Sequence, residues 1–219
     1  MRRLLLLRPE PGLSASARRA RELGLDPLTC PLFRVEALDW TPPDPDDYDA
    51  LLLTSANAVR EAGPALAALA ALPVHAVGEA TAEAARGAGL EVVTVGPGDI
   101  LSLLPMVPAN CRLLHLAGED HRQVADPRID RRIVYRAAEI AEPGLPPLDS
   151  LVIAVHSPRA GQRLAKLATD RGGASIAAIS AAAAAACGTG WASVDVAEKP
   201  DDKSLLALAA SLCHTVPRQ

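Results

Sequence analysis

The sequence predicts an α/β fold made of two similar parallel-sheet domains. Three observations lead to this prediction. Short apolar strands alternate with Ala- and Leu-rich helical stretches, one local pattern recurs at a fixed offset, and 219 residues are enough for two domains that each bury a core. Strands that alternate with helices are typical of parallel sheets.

The chain opens with a strand, a turn and a helix. Residues 4–7 form a short apolar strand, and 14–23 have the composition of a helix that stops at Gly24. Residues 30–37 then follow an extended pattern and lead into the proline- and aspartate-rich stretch 41–47. We interpret this stretch as a segment that crosses into a second domain.

The other predicted strands are also short and apolar. They cover residues 50–53, 74–77, 91–95, 113–116, 151–155, 175–179 and 193–196. A second extended stretch over 132–140 and a loop over 142–147 interrupt the alternation, and a helix near 203–212 ends the chain.

An internal repeat supports two similar domains. The pattern around Ser55 resembles that around Ser157, an offset of 102 residues, and the same offset carries residues 76–80 onto 178–182 and Asp99 onto Asp201. A period this long is outside the range of solenoid repeats, so duplicated domains explain it better. Chance matching between Ala-rich segments is the alternative.

Composition and charge exclude several classes of protein. The net charge of −4 argues against a general nucleic-acid surface, and 2% aromatic residues are too few for base stacking or a membrane belt. No apolar run is long enough to span a bilayer, and the four-residue run over 4–7 is too short for a signal peptide.

Cofactor and metal motifs are missing from the sequence. The four cysteines are far apart, which suggests a reduced, cytoplasmic compartment, and no glycine-rich nucleotide loop or nucleophile elbow occurs. His115, Glu119, Asp120 and His121 form the one metal-like cluster, which we interpret as a solvated loop because its spacing fixes no coordination geometry. We therefore expect neither a metal nor a cofactor.

Candidate binding residues follow the predicted strands. Ligands of open parallel sheets bind beyond the carboxyl ends of the strands, where helix N-termini attract anions. Ser55 and Ser157 occupy such positions, and Gly78, Thr81 and Ser180 lie at the next strand-to-helix turns. Simple helix capping and a plain tight turn are the alternatives.

Tyr135 is the candidate catalytic residue. It lies in the second extended stretch, where a cleft between two domains would expose its phenol as a positioned acid or hydrogen-bond donor. The alternative is a tyrosine that packs within the connecting segment.

Several of these motifs, taken in order, resemble uroporphyrinogen-III synthases. They are LRP at 7–9, LTSANAV at 53–59, AVGEATA at 76–82, VYR at 134–136, HSPRA at 156–160 and AEKP at 197–200. The resemblance extends over almost the whole chain.

The resemblance implies two α/β domains joined by a two-stranded antiparallel ladder, with the active site in the interdomain cleft. It places domain one at 1–36 plus 140–219 and the inserted domain two at 41–132. The ladder pairs 33–37 with 133–138.

The resemblance also implies a reaction. The family closes hydroxymethylbilane to uroporphyrinogen III with loss of water, in heme biosynthesis, inverting the last pyrrole ring through an azafulvene and a spirocyclic pyrrolenine. Without the enzyme, the substrate cyclises to the uninverted type I isomer. The protein mainly positions a flexible substrate, so few catalytic groups are expected.

Residue roles follow from the same resemblance. Tyr135 matches the family tyrosine that assists departure of the hydroxyl, and eight further residues match or flank positions that would hold the substrate's carboxylates. Those are Arg8, Thr54, Ser55, Asn57, Gly78, Thr81, Ser157 and Arg159. Ser180 begins a Ser-Ala-Ala-Ala turn where many members have Gly-Pro-Thr-Thr, so Ser180 or backbone amides would replace the missing threonines.

The sequence has no coiled-coil pattern or large dimer patch, so we expect a monomer, and the cysteines favour the cytoplasm. The expected partners are hydroxymethylbilane and, by transient hand-over, hydroxymethylbilane synthase, with no nucleic-acid or membrane partner. The alternatives are a non-catalytic cytoplasmic two-lobed ligand-binding regulator and an enzyme acting on nucleotide sugars or phosphates.

Overall fold

A computed structural model of the protein describes residues 1–121 and 123–215. The chain divides into two compact units. Unit 1 comprises Met1–Arg34 and the chain from Glu139 onward, and unit 2 comprises Val35–Ala138.

Eleven strands and seven helices make up the described part of the chain. The strands are β1 (Arg3–Leu6), β2 (Pro27–Thr29), β3 (Phe33–Ala37), β4 (Ala50–Leu53), β5 (Val74–Ala76), β6 (Val92–Val95), β7 (Leu113–Gly118), β8 (Ile129–Glu139), β9 (Leu151–Val155), β10 (Ser175–Ala178) and β11 (Ser193–Val196). The helices are α1 (Gly12–Glu22), α2 (Ala56–Glu61), α3 (Glu79–Gly87), α4 (Ile100–Leu103), α5 (Pro158–Leu167), α6 (Ala181–Ala186) and α7 (Asp202–His214). Short 3₁₀ helices cover Pro45–Asp47, Gly63–Leu69 and Leu104–Met106.

Unit 1 contains a parallel sheet with the strand order β11-β10-β9-β1-β2. Its central strands are buried at every position because helices cover both faces. Leu4, Leu6, Val152 and Ala154 face a core shared with α1 and α7, while the residues that alternate with them face the opposite side.

Unit 2 contains a mixed sheet with the strand order β3-β8-β7-β4-β5-β6. The four strands from β7 to β6 are parallel, and β8 runs parallel to β7. Where β3 meets β8, the Leu38 amide donates to the Val134 carbonyl at 2.9 Å and the Ile140 amide donates to the Leu32 carbonyl at 3.0 Å. The partner number falls as the residue number rises, which is the pattern of antiparallel strands.

The fold class predicted from the sequence is confirmed, and the repeat explains why the two sheets are alike. An offset of 102 residues carries β4, β5 and β6 onto β9, β10 and β11, each within one residue of its counterpart. Helix caps repeat as well, because Ser55 and Ser157 cap α2 and α5, and Asp99 and Asp201 cap α4 and α7.

Some element boundaries differ from the expected ones. Only the second part of the extended stretch over 30–37 is a strand, β3, and a separate short strand, β2, precedes the stretch and joins the sheet of unit 1. Helix α1 begins two residues earlier than expected, at Gly12, after the turn at Pro11. Strand β8 is longer than the predicted ladder strand because its first half pairs with β7.

No helix among residues 1–121 and 123–215 combines the length and the apolar character needed to cross a membrane.

Candidate functional site

A cavity of about 260 Å³ lies within unit 2, at the carboxyl ends of its parallel strands. This is the edge of the sheet at which open α/β folds bind ligands. Its lining comprises Thr54, Ser55, Val77, Gly98, Asp99, Ile100, His115, Gly118, Asp120, His121 and Tyr135. Three of the predicted catalytic and substrate-binding residues, Thr54, Ser55 and Tyr135, therefore line one space.

Tyr135 reaches this space because of an irregularity between β7 and β8. The register shifts between Ala117 and Gly118, so that Gly118 pairs with Tyr135. A Cβ atom on residue 118 would lie 2.5 Å from Tyr135 Cζ and 2.8 Å from its hydroxyl oxygen. The glycine thus makes room for the phenol, whose hydroxyl has no hydrogen-bond partner within residues 1–121 and 123–215.

A prediction follows from the close approach at Gly118. Gly118→Ala should displace the Tyr135 ring and lower catalysis about 10-fold or more, because small misplacements of a reacting group are costly. Its melting temperature should change little, since the side chain that moves is only half-buried. Gly87→Ala, with open space around the new methyl group, is the matched control. Normal turnover by Gly118→Ala would contradict this prediction.

Thr54 belongs to a hydrogen-bonded series of side chains beside the cavity. Its hydroxyl oxygen lies 2.9 Å from His115 Nε2, and Arg131 Nε donates to His115 Nδ1 at 3.2 Å. Burial and, to a lesser extent, the nearby charges of Arg131 and His121 lower the pKa of His115 to about 3. The imidazole is therefore neutral at physiological pH.

The structure corrects the interpretation of His115 as part of a solvated loop. His115 lies in β7 and is 1% exposed, because it alternates with Leu114 and Leu116 toward the opposite face of a fully covered sheet. His121 does lie after the strand, where its Nδ1 is 2.9 Å from the Gly118 carbonyl oxygen. No group of three His, Cys, Asp or Glu side chains in the described residues is arranged to hold a metal ion.

The remaining candidates of unit 2 differ in position. Ser55 caps α2 by accepting a hydrogen bond from the Asn57 amide at 3.1 Å, and the Asn57 side chain accepts from Arg60. Gly78 caps α3 in an extended conformation, and a Cβ atom there would reach only an ordinary contact with Gly98. Thr81 lies inside α3 with 6% exposure and not in the turn, because the helix already begins at Glu79.

In unit 1, Arg8 takes part in an ionic cluster around Asp202. The Asp202 carboxylate accepts from His156 Nε2 at 2.8 Å, from the Ser16 hydroxyl at 2.6 Å, from Arg19 at 2.7 Å and from Arg8 at 3.2 Å. Burial alone would raise the pKa of Asp202, but the hydrogen bonds from His156, Ser16 and Arg19 outweigh it and hold that pKa well below its usual value. Arg8 therefore already has an anionic partner.

The other candidates of unit 1 lie where its strands end. Ser157 caps α5 through the Ala160 amide at 3.2 Å, and Ser180 caps α6 through the Ala183 amide at 3.3 Å. The Arg159 guanidinium stacks 4.7 Å from the centre of the Phe33 ring. Each serine oxygen accepts a capping bond, which leaves its hydroxyl proton available as a donor.

Sequence reasoning missed His115 as a cavity residue, together with Arg131, Gly118, His156 and Asp202. A signal existed for His115, because a single polar residue in an otherwise apolar strand must find a buried partner. No local signal marks the other four, whose partners are distant in sequence and depend on strand register.

Comparisons with known proteins identify the fold and the family. The family model described as uroporphyrinogen-III synthase HemD matches residues 14–207. The solved structure of uroporphyrinogen-III synthetase from Helicobacter pylori has a TM-score of 0.69 at 18% identity, covering 97% of this chain and 100% of that one. A mutant uroporphyrinogen III synthase from Thermus thermophilus has a TM-score of 0.52 at 21% identity, covering 96% and 98%. No curated protein sequence matches the chain significantly.

Proposed function

The chain belongs to the uroporphyrinogen-III synthase family, and from that premise we propose that it cyclises hydroxymethylbilane to uroporphyrinogen III with loss of water, as a hydro-lyase. The family is one of enzymes of heme biosynthesis, which favours this function over that of a non-catalytic binding protein. The observation that carries the proposal is the convergence of Tyr135, Thr54 and Ser55 on one cavity at the ligand-binding edge of a parallel sheet.

In this proposal Tyr135 assists the first bond cleavage. The pyrrole nitrogen pushes electrons toward the hydroxymethyl carbon, the C–O bond breaks, and the Tyr135 hydroxyl donates a hydrogen bond to the departing oxygen. The pyrrole N–H loses its proton as the azafulvene forms, and the departing hydroxide takes up a proton, so that the oxygen leaves as water. A neutral phenol suits the task because the substrate supplies most of the driving force and needs only a positioned donor.

The substrate's carboxylates would bind where strands lead into helices. Ser55 in unit 2 and Ser157 and Ser180 in unit 1 each present a hydroxyl at a helix N-terminus, where the helix dipole favours anions. Arg159 adds a cation beside Ser157. Local sites of this kind allow a protein with a net charge of −4 to bind an anionic ligand. No cofactor is needed for these steps.

The proposal also includes a cytoplasmic location and a hand-over of substrate from hydroxymethylbilane synthase. Free hydroxymethylbilane cyclises to the type I isomer without the enzyme, so a direct hand-over would reduce the amount of substrate lost in this way.

Product analysis tests the proposed function directly. The purified chain is added to freshly generated hydroxymethylbilane, and the products are oxidised and separated as type I and type III isomers. We expect mainly type III, whereas buffer alone gives type I. Type I alone in the presence of the chain would reject the proposed function.

The repeated serines carry a separate prediction. Replacing Ser55 and Ser157 together with alanine should weaken product binding at least about 10-fold, because hydrogen bonds to charged groups are among the stronger ones. The loss of two helix caps should cost about 1 kcal/mol each in stability. Isothermal calorimetry and thermal unfolding separate the two effects.

Asp44→Ala is the control for the serine variant. It removes the cap of the 3₁₀ helix Pro45–Asp47, which precedes β4 and so lies at the opposite edge of the sheet. It should lower stability without weakening product binding. If the serine variant behaves in the same way, Ser55 and Ser157 only cap helices.

A further inference from the structure

Two hydrogen bonds link Arg131 to His115 and His115 to Thr54. In each of them the donor and the acceptor can be identified. Parallel pairing of β7 with β8 places His115 beside Arg131, and parallel pairing of β4 with β7 places it beside Leu52. Thr54 is two residues beyond Leu52 and therefore extends from the same face of the sheet. Neighbouring side chains on this face are thus brought into contact by strand register alone.

The direction of the first hydrogen bond follows from the chemistry of arginine. A guanidinium has donors and no acceptor, so the contact of 3.2 Å between Arg131 Nε and His115 Nδ1 requires an unprotonated Nδ1. A neutral imidazole carries one proton, which must then be on Nε2. Arg131 therefore selects the Nε2–H tautomer of His115.

The second hydrogen bond takes its direction from the first. The Nε2–H group of His115 donates to Thr54 Oγ1 across 2.9 Å. The reverse direction would leave the imidazole with no proton on either nitrogen, which is an imidazolate. The hydroxyl proton of Thr54 is then left for another acceptor, and the Thr54 side chain has no second hydrogen bond among residues 1–121 and 123–215.

The surroundings of His115 keep the ring in this state. Its side chain is almost fully buried, and this burial, with a smaller contribution from the neighbouring Arg131 and His121, lowers the pKa of the ring and opposes a second proton. The cavity is lined by Thr54 and by His115 itself, together with Ser55 and Tyr135.

We propose that Arg131 and His115 are positioning residues that hold the Thr54 hydroxyl as a hydrogen-bond donor toward the cavity, where it binds a carboxylate of the substrate. The carboxylate assignment rests on the proposed function, whereas the direction of the two hydrogen bonds does not. A carboxylate accepts and does not donate, so it matches a hydroxyl whose proton points into the cavity. A ligand group that needs an acceptor at this point would be rejected.

The first experiment measures the tautomer of His115 in the unliganded protein. Long-range ¹H–¹⁵N correlation spectra of ¹⁵N-histidine-labelled protein at neutral pH should show Nε2–H, with assignment by His115→Gln. Arg131→Met should increase the Nδ1–H population, while Arg132→Met, which removes a cation paired with Asp130, should not. An Nδ1–H tautomer or a charged ring in the wild type would overturn the proposal.

The second experiment measures product binding by variants of the series. His115→Gln keeps one acceptor and one donor and should bind within about 3-fold of wild type, whereas His115→Leu and Thr54→Val should each bind about 10-fold more weakly. The double variant His115→Leu/Thr54→Val should bind product no more weakly than either single variant, because each single change already removes the positioned Thr54 hydroxyl as a donor. Additive losses, or wild-type binding by Thr54→Val, would overturn the proposal.

The experiments distinguish failure of the positioning role of Arg131 and His115 from failure of the proposed function. If wild-type protein forms no type III product, the function fails while the tautomer measurement still decides the direction of the hydrogen bonds. If wild-type protein is active but the tautomer is Nδ1–H, only the positioning role fails. Thermal unfolding of each variant shows whether it is folded, and the wild-type spectrum does not depend on any variant.

Discussion

Tyr135→Phe should lower the rate of type III product formation by about 10- to 1,000-fold, the range for loss of one positioned proton donor. The substrate can ionise without the enzyme, so slow catalysis should appear as a shift toward type I product and not as unreacted hydroxymethylbilane. The ring that lies against Gly118 is kept, so the fold and the cavity should survive.

The isomer ratio and the initial rate at saturating substrate are the measurements for this variant. Tyr48→Phe is the matched control, because Tyr48 hydrogen-bonds Asp130 and does not line the cavity. It should keep the wild-type ratio. Tyr135→Phe with a wild-type rate and ratio would remove this hydroxyl from the mechanism and leave backbone amides or water as the donors.

Unit 2 should lose stability steeply in mild acid because of His115. The pKa of His115 is about 3 in the folded protein, lowered by burial and by the charges of Arg131 and His121, whereas in an unfolded chain it is about 6.5. Between these values the unfolded state binds the extra proton, so the free energy of unfolding falls as pH falls. The slope is about 1.4 kcal/mol per pH unit, or about 2 kcal/mol from pH 6.5 to pH 5.

The two tryptophans allow each unit to be followed separately. Trp40 belongs to unit 2 and Trp191 to unit 1, so urea denaturation in a Trp191→Phe background reports on unit 2 through Trp40. His115→Gln in the same background cannot take up the proton and should lose this part of the pH dependence. Equal slopes with and without His115 would show that its pKa is not depressed.

The fold class could be predicted because its signals are local or periodic. Apolar runs such as 50–53 and 151–155 mark strands buried on both faces, and the offset that relates Ser55 to Ser157 relates the strands that precede them. Elements without such a signal were missed. Strand β2 has three residues and no buried position, so its pairing with β1 depends on the packed sheet.

The sequence predicted the position of a site residue correctly only where that position depends on residues nearby in the sequence. Ser55, Ser157 and Ser180 were expected at helix N-termini, and all three cap helices, because capping depends on residues within one turn. Thr81 was expected at a turn and is buried in α3, since the helix starts before it. Arg8 was expected to face a ligand, and its guanidinium is instead paired with Asp202.

The sequence by itself determined the two-sheet α/β architecture, the caps at the strand ends and, through the resemblance of its motifs, the family to which the chain belongs. Only the tertiary structure decided which side chains meet. Gly118 with Tyr135, and Arg131 with His115 and Thr54, are brought together by the register between strands. Register depends on the packing of a whole sheet, and a slip of one residue would turn each of these side chains to the opposite face.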